Sequence, residues 1–157
     1  MDLQPVDLHE DVSIEHKYFK MPVPSASYAN ILVVQFSGQS GFGCNNNSDA
    51  TYMAAMIRAG IVVVKPIAVL LDLRDLTYEW GDMMAEPFCA GHNHYVRGDL
   101  LLVAVVSDLN RKGLTSLLTD EMATDPKNVL FESLEDAVDF IDTDISNTLE
   151  DLDLDIL

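Results

Sequence analysis

The chain is short of positive charge. Nine Lys and Arg stand against 26 Asp and Glu, which leaves a net charge of −17. A field of that sign repels phosphate backbones and anionic lipid, so neither nucleic acid nor a membrane surface is expected as a partner. Cysteine is scarce as well. Cys44 and Cys89 are too few for a disulfide framework. They form either one bridge or two free thiols, and free thiols are the expectation in a reducing compartment. No apolar run approaches the roughly 20 residues of a membrane helix. Met1-Asp-Leu-Gln-Pro5 lacks the basic and apolar parts of a signal peptide. Together these absences lead to the expectation of a cytoplasmic protein. Tryptophan occurs once, at Trp80.

What is present is enough for one domain. The chain has 157 residues and is 48% hydrophobic, so a core can form without staples. Ile67-Ala-Val-Leu-Leu71 is an unbroken apolar run behind Pro66, and it predicts a strand over Ile67–Leu73 buried on both faces. Ile31–Phe36, Leu100–Val106 and the shorter Val129–Phe131 read the same way. Val12, Ile14, His16 and Tyr18 alternate with polar residues, which predicts a half-exposed edge strand that Met21-Pro-Val-Pro24 interrupts.

Helical spacing appears between these runs. Met53, Met56, Ile57, Ile61 and Val64 predict a helix from an N-cap at Ser48 or Asp49 to Pro66, although the β-branched Ile61–Val64 also fits a strand. A short helix is expected over Gly81–Glu86, stopping near Pro87. Asp108 is expected to cap a helix carrying Leu114, Leu117 and Leu118. Ser133-Leu-Glu-Asp136 resembles a capping box, and Leu134, Ala137, Val138 and Ile141 continue as a helical stripe. Strands alternating with helices predict a single α/β domain with a mostly parallel or mixed sheet of about five strands flanked by helices. It spans residues 12–142, between an acidic arm (1–11) and an acidic C-terminal segment (143–157) that extends the last helix, stays disordered or docks on a partner.

Ala68-Val-Leu-Leu-Asp-Leu-Arg-Asp-Leu-Thr-Tyr78, Leu101–Val106 and Leu130-Phe-Glu-Ser-Leu-Glu-Asp-Ala137 together resemble the STAS family of anti-sigma-factor antagonists and sulfate-transporter tails. That pattern has a strand ending in Asp-Leu, a short loop, a helix, a further strand, and a last helix opened by a Ser/Thr-Leu-Glu-Glu-Ala phrase. The similarity covers roughly residues 28–142. It implies a STAS-like fold and a protein-binding module. Regulatory members carry Asp-Ser-Ser-Gly after the loop, with a serine that is phosphorylated. This chain has Trp80-Gly-Asp-Met83 there, so a phosphorylation switch is not implied. Phe88-Cys-Ala-Gly91 is similar, more distantly, to an oxyanion-loop phrase of the crotonase family of acyl-CoA enzymes.

Three groups of residues bear on chemistry. The Gly-rich stretch Ser37–Ser48 matches neither dinucleotide nor P-loop spacing and reads as a connection. Cys89, His92 and His94 are close enough in sequence to raise a metal site, but they lack paired-ligand spacing and a fourth ligand, so no cofactor is expected. Asp75, Glu79, Asp82 and Glu86 surround Tyr78 and Trp80, an acidic platform with aromatic anchors of the kind that forms binding hot spots. Glu150, Asp151, Asp153 and Asp155 form a second acidic group, and no Lys or Arg follows Asn128. The expected function is non-enzymatic binding of a basic protein, most concretely an immunity protein that occludes the active site of a bacterial toxin domain. The alternatives are a phosphorylation-independent STAS regulator of a kinase-like or sigma-factor partner, and a small crotonase-like acyl-CoA enzyme. Self-association is compatible with each.

Overall fold

A computed structural model describes residues 1–41, 47–92 and 99–154, with the backbone alone for 152–154. Five strands form one mixed sheet in the order β1-β2-β3-β4-β5. They are β1 (Ile14–Val23), β2 (Ala26–Gln39), β3 (Ala68–Thr77), β4 (Leu101–Val105) and β5 (Leu130–Phe131). β1 and β2 make an antiparallel hairpin, and β2 to β5 run parallel. Four helices complete the domain: α1 (Asn47–Val64), α2 (Ala85–Phe88), α3 (Arg111–Ser116) and α4 (Leu134–Leu154). A 3₁₀ turn at Asp82–Met84 leads into α2, and a π turn at Leu117–Glu121 prolongs α3. The expected α/β class and the alternation of elements are those observed.

Strand order dictates the layers. Each parallel step moves one strand further in the same direction, and crossovers between parallel strands are right-handed. The helices of all three crossovers therefore fall on one face. There Met53, Ile57, Met84, Phe88, Leu114 and Leu118 pack on Leu32, Val34, Val69, Leu71 and Ala104. The opposite face is left to α4, whose Ala137, Val138 and Ile141 cover Ile31, Ala68, Leu70, Val103 and Val105. Both faces of β2, β3 and β4 are thus buried, which is why their sequences read as apolar runs.

The local departures from expectation have physical causes. β1 runs through Pro22 to Val23 because it is an edge strand with a register shift at Pro22/Val23, where a missing N–H leaves no ladder bond unmade. Asp49 is not an exposed cap. It is buried inside the first turn of α1, and its carboxylate accepts hydrogen bonds from Ser13 N at 2.8 Å and Ser13 Oγ at 2.7 Å, bolting β1 to α1. Ile61–Val64 is helix, not strand. α2 passes through Pro87, which sits in the first turn where no intrahelical donor is needed. Asn110, not Asp108, precedes α3. Ser133 opens α4 as expected, accepting from Asp136 N at 3.1 Å and donating to Asp136 Oδ2 at 2.7 Å. α4 then continues across position 142 into the acidic segment.

β3 is longer than its apolar run. It extends past Leu73 to Thr77, and its pairing with β2 passes from Gln35↔Asp72 to Ser37↔Asp75, so β3 carries one extra residue. At this bulge Asp72 is buried and gripped by Arg74, with Nε to Oδ1 at 2.8 Å and Nη2 to Oδ2 at 2.9 Å. Gln35 Nε2 donates to Oδ2 from β2 at 3.1 Å. Burial alone pushes the Asp72 carboxyl up, but the hydrogen bonds from Arg74 and Gln35 and the guanidinium charge outweigh it and hold it below the ordinary carboxylate value. A carboxyl depressed on folding stabilises the fold above its unfolded pKa, near about pH 4, and loses that contribution as pH falls through the lower folded value. Asp72→Asn is expected to lower stability at pH 7 by about 1–2 kcal/mol, toward the small end because Arg74 is half exposed. Urea melts check this: the gap between wild type and variant is present at pH 7 and narrows at pH 3.

Candidate functional site

The candidate site is the sheet edge where β3 and β4 end. Asn110 is buried in the loop between β4 and α3, and its Nδ2 donates to Leu73 O at 2.5 Å and Leu76 O at 2.7 Å. Its Oδ1 accepts from Ser107 N at 3.2 Å. Ser107 Oγ donates to Arg74 O at 2.7 Å, and Tyr78 N donates to Leu109 O at 3.2 Å. The bulge turns Leu73 and Leu76 inward together, and both lie past Asp72↔Val105, the last β3–β4 pair, where Asn110 answers their carbonyls.

The next turn is fixed by packing. Tyr78 is buried, and its hydroxyl donates to Gly81 O at 3.1 Å. Gly81 has φ 148°, a conformation open to glycine. Gly113 on α3 lies directly under the Glu79 carbonyl, close enough that a Cβ there would overlap the oxygen. The loop therefore rests on α3 through the Glu79 backbone and the Tyr78 ring. Trp80 is left 60% exposed at its crest, with Leu109 and Met83 also exposed beside it. A cleft of about 590 Å³ runs between Trp80, the Asp108–Leu109 loop and Lys112 in the first turn of α3, and a smaller one of about 110 Å³ lies on the side of Asp120 and Glu121.

The expected site residues divide. Tyr78, Glu79, Trp80 and Asp82 come together at this edge, Glu79 and Asp82 being exposed. Asp75 is exposed near the end of β3. Tyr78 is buried beneath the loop. Trp80 is the reverse: it is solvent-facing and not a core residue of the short helix. Glu86 turns toward α1 and meets Arg58 at 3.5 Å. Glu150 and Asp151 are exposed on α4, against the other face of the sheet, so the two acidic groups are not brought together. Asp153 is described in its backbone only, and Asp155 lies outside the described residues. Sequence reasoning missed Asn110, Gly113, Asp108 and Asp120 as parts of this site. Only the return of the chain after β4 places them here.

The histidine loop behaves differently. His92 reaches Asp99 at 3.7 Å, and both are exposed. Cys89 is a free, half-buried thiol, and burial together with the Glu86 carboxylate pushes its pKa up, which weakens it as a nucleophile. Among the described residues no three of His, Cys, Asp and Glu gather for a metal ion. His94 lies outside them.

No family profile and no curated protein matches this chain. A solved structure that does is the crystal structure of an anti-sigma factor antagonist from Mycobacterium paratuberculosis, at 19% identity and a TM-score of 0.50 over 79% of this chain and 92% of that one. At this identity the likeness defines the architecture: the domain has a STAS-like α/β fold. Nothing in these comparisons supports the crotonase likeness of Phe88–Gly91 or an immunity protein.

Two outcomes are expected from this packing. Gly113→Ala forces the Glu79 carbonyl to move, so the emission maximum of Trp80 shifts and stability falls by about 1–3 kcal/mol. Unchanged tryptophan fluorescence would show that the loop does not lean on α3. Burial, then the nearby Asp82 carboxylate, push the Tyr78 hydroxyl up to about 12. A tyrosine raised on folding stabilises fully below about pH 10 and loses that contribution as pH climbs through the folded value. An ultraviolet titration is expected to show a last tyrosine step near pH 12 that Tyr78→Phe removes.

Proposed function

We propose that the chain is a non-enzymatic regulatory module that binds a protein partner through the Trp80 edge, independently of phosphorylation. The observation that carries this reading is Trp80 itself, 60% exposed on a loop held by the Tyr78 hydroxyl at Gly81 O and by the close approach of the Glu79 carbonyl to Gly113. An exposed aromatic on a rigid support loses little entropy when covered and matches the anatomy of a hot spot. Glu79, Asp82, Asp108, Asp120 and Glu121 surround the two clefts, with Lys112 the one cation lining them among the described residues. The expected partner surface is therefore basic around an apolar pocket, in keeping with the net charge of −17.

The similar structure, an anti-sigma factor antagonist, favours a regulatory partner of kinase-like or sigma-factor-associated type over a toxin. Gly81 and Asp82 stand where the resemblance puts the family's serines, so the loop offers no hydroxyl to phosphorylate and carries a permanent carboxylate in its place. Binding of this kind is constitutive and is set by concentration and by salt.

Calorimetry against the anti-sigma-type proteins of the same cell tests the reading. Trp80→Ala is expected to weaken binding by about 2 kcal/mol, or roughly 30-fold, and raising salt from low to high is expected to weaken the wild type further. Treatment with kinase and ATP is expected to change nothing. Equal affinity of wild type and Trp80→Ala, or binding indifferent to salt, contradicts the proposal.

A further inference from the structure

The strand order that gathers α1, α2 and α3 on one face leaves the other face incompletely covered. α4 lies over β4 and β5 and meets β3 and the Val23 end of β1, but it leaves the middle of β1 incompletely covered. Between α4 and β1 runs a groove of about 490 Å³. Its apolar surface is Phe19, Met21 and Val33 from the hairpin and Leu134 and Val138 from α4. Phe19 is 52% exposed and continues this apolar surface into solvent.

Both ends of the groove are closed by hydrogen bonds. Asp142 on α4 accepts from Ser25 N at 2.9 Å and Ser25 Oγ at 2.6 Å, which pins the hairpin turn to the helix. At the other end stand Gln35, Asp72 and Arg74, already bonded to one another. The Ser25–Asp142 bonds fix the spacing between the hairpin turn and α4. The volume lies within the range of small-molecule sites, and the lining is apolar with few polar groups, as such sites are.

Charge selects the occupant. Asp72 and Arg74 neutralise each other. What remains on the lining is Glu135 and Asp139, one helical turn apart on α4, against Lys20 on β1. An anionic head would face two carboxylates and the field of a chain carrying −17. A cationic head would meet complementary charge beside an apolar floor. We propose that this groove binds a monocationic amphiphile, with its aliphatic or aromatic body on Phe19, Met21, Val33 and Val138 and its ammonium or amidinium at Glu135 and Asp139. The site is separate from the Trp80 edge, and neither reading depends on the other.

The test is a ¹H–¹⁵N NMR titration of the full chain with decyltrimethylammonium, decanoate and decanol, each below its micellar concentration. Decyltrimethylammonium is expected to shift the amides of Phe19, Met21, Val33 and Val138 saturably and to bind roughly fivefold or more tightly than decanoate. The double variant Glu135→Gln, Asp139→Asn is expected to erase that preference while decanol still binds, and Phe19→Ala to weaken all three. Equal affinities for the three probes overturn the proposal, as do saturable shifts confined to another surface or no saturable shifts at all. Sedimentation showing a dimer that protects the Phe19 and Val138 amides also overturns it, because the groove would then belong to a second copy. Should the double variant fail to fold, the wild-type order of affinities decides alone.

Discussion

The buried amide of Asn110 holds the functional end of this domain together. One side chain answers the carbonyls of Leu73 and Leu76 and the amide of Ser107. Without it two buried acceptors at the β3 bulge would be orphaned, at a cost of about 1–3 kcal/mol each. The bulge needs Asn110, and the loop needs the bulge. Because β3 gains a residue there, Leu73 and Leu76 both point into the core, and the strand reaches Thr77 before turning. Tyr78 then anchors inward and Trp80 emerges outward. A binding loop is most effective when its geometry is settled before the partner arrives, since ordering it on contact would draw on the binding energy.

Topology accounts for the remainder. Sequential parallel strands with right-handed crossovers crowd three helices onto one face and leave one helix for the other. The crowded face supplies α3, whose Gly113 permits the Glu79 carbonyl to lie against it. The sparse face leaves the middle of β1 incompletely covered and Phe19 half exposed. The surplus of carboxylates is not concentrated at one place. It borders the Trp80 clefts on one side of the sheet and the outer surface of α4 on the other. The negative field is therefore shared between two surfaces on opposite sides of the sheet.

Much of the architecture was legible in the residues because buried parallel strands leave an unmistakable trace. Ile31–Phe36, Ala68–Leu73 and Leu101–Val105 are apolar on both faces, and no helical period intrudes. The ends of elements were less legible. Arg74 and Asp75 break the apolar run, so the bulged continuation of β3 to Thr77 was invisible. Pro22 reads as a breaker unless the strand is known to lie at the edge. The continuation of α4 past Asp142 was left open, since acids alternating with leucines suit a solvated helix and a loose tail alike. At the site, Trp80 and its neighbouring acids were legible as a cluster, but not its orientation: the buried aromatic is Tyr78 and the exposed one is Trp80. Asn110 and Gly113 left no sequence signal, because their importance comes from carbonyls more than thirty residues away. The choice between a toxin inhibitor and a regulator did not lie in the charge at all.

The central claim is that the Glu79–Asp82 loop is set in place in the free protein. Backbone ¹⁵N relaxation of the isolated chain measures this directly. Order parameters for Glu79, Trp80 and Gly81 are expected near those of β3, at about 0.8 or above. Values below about 0.6 at these amides, in an otherwise ordered domain, would contradict it.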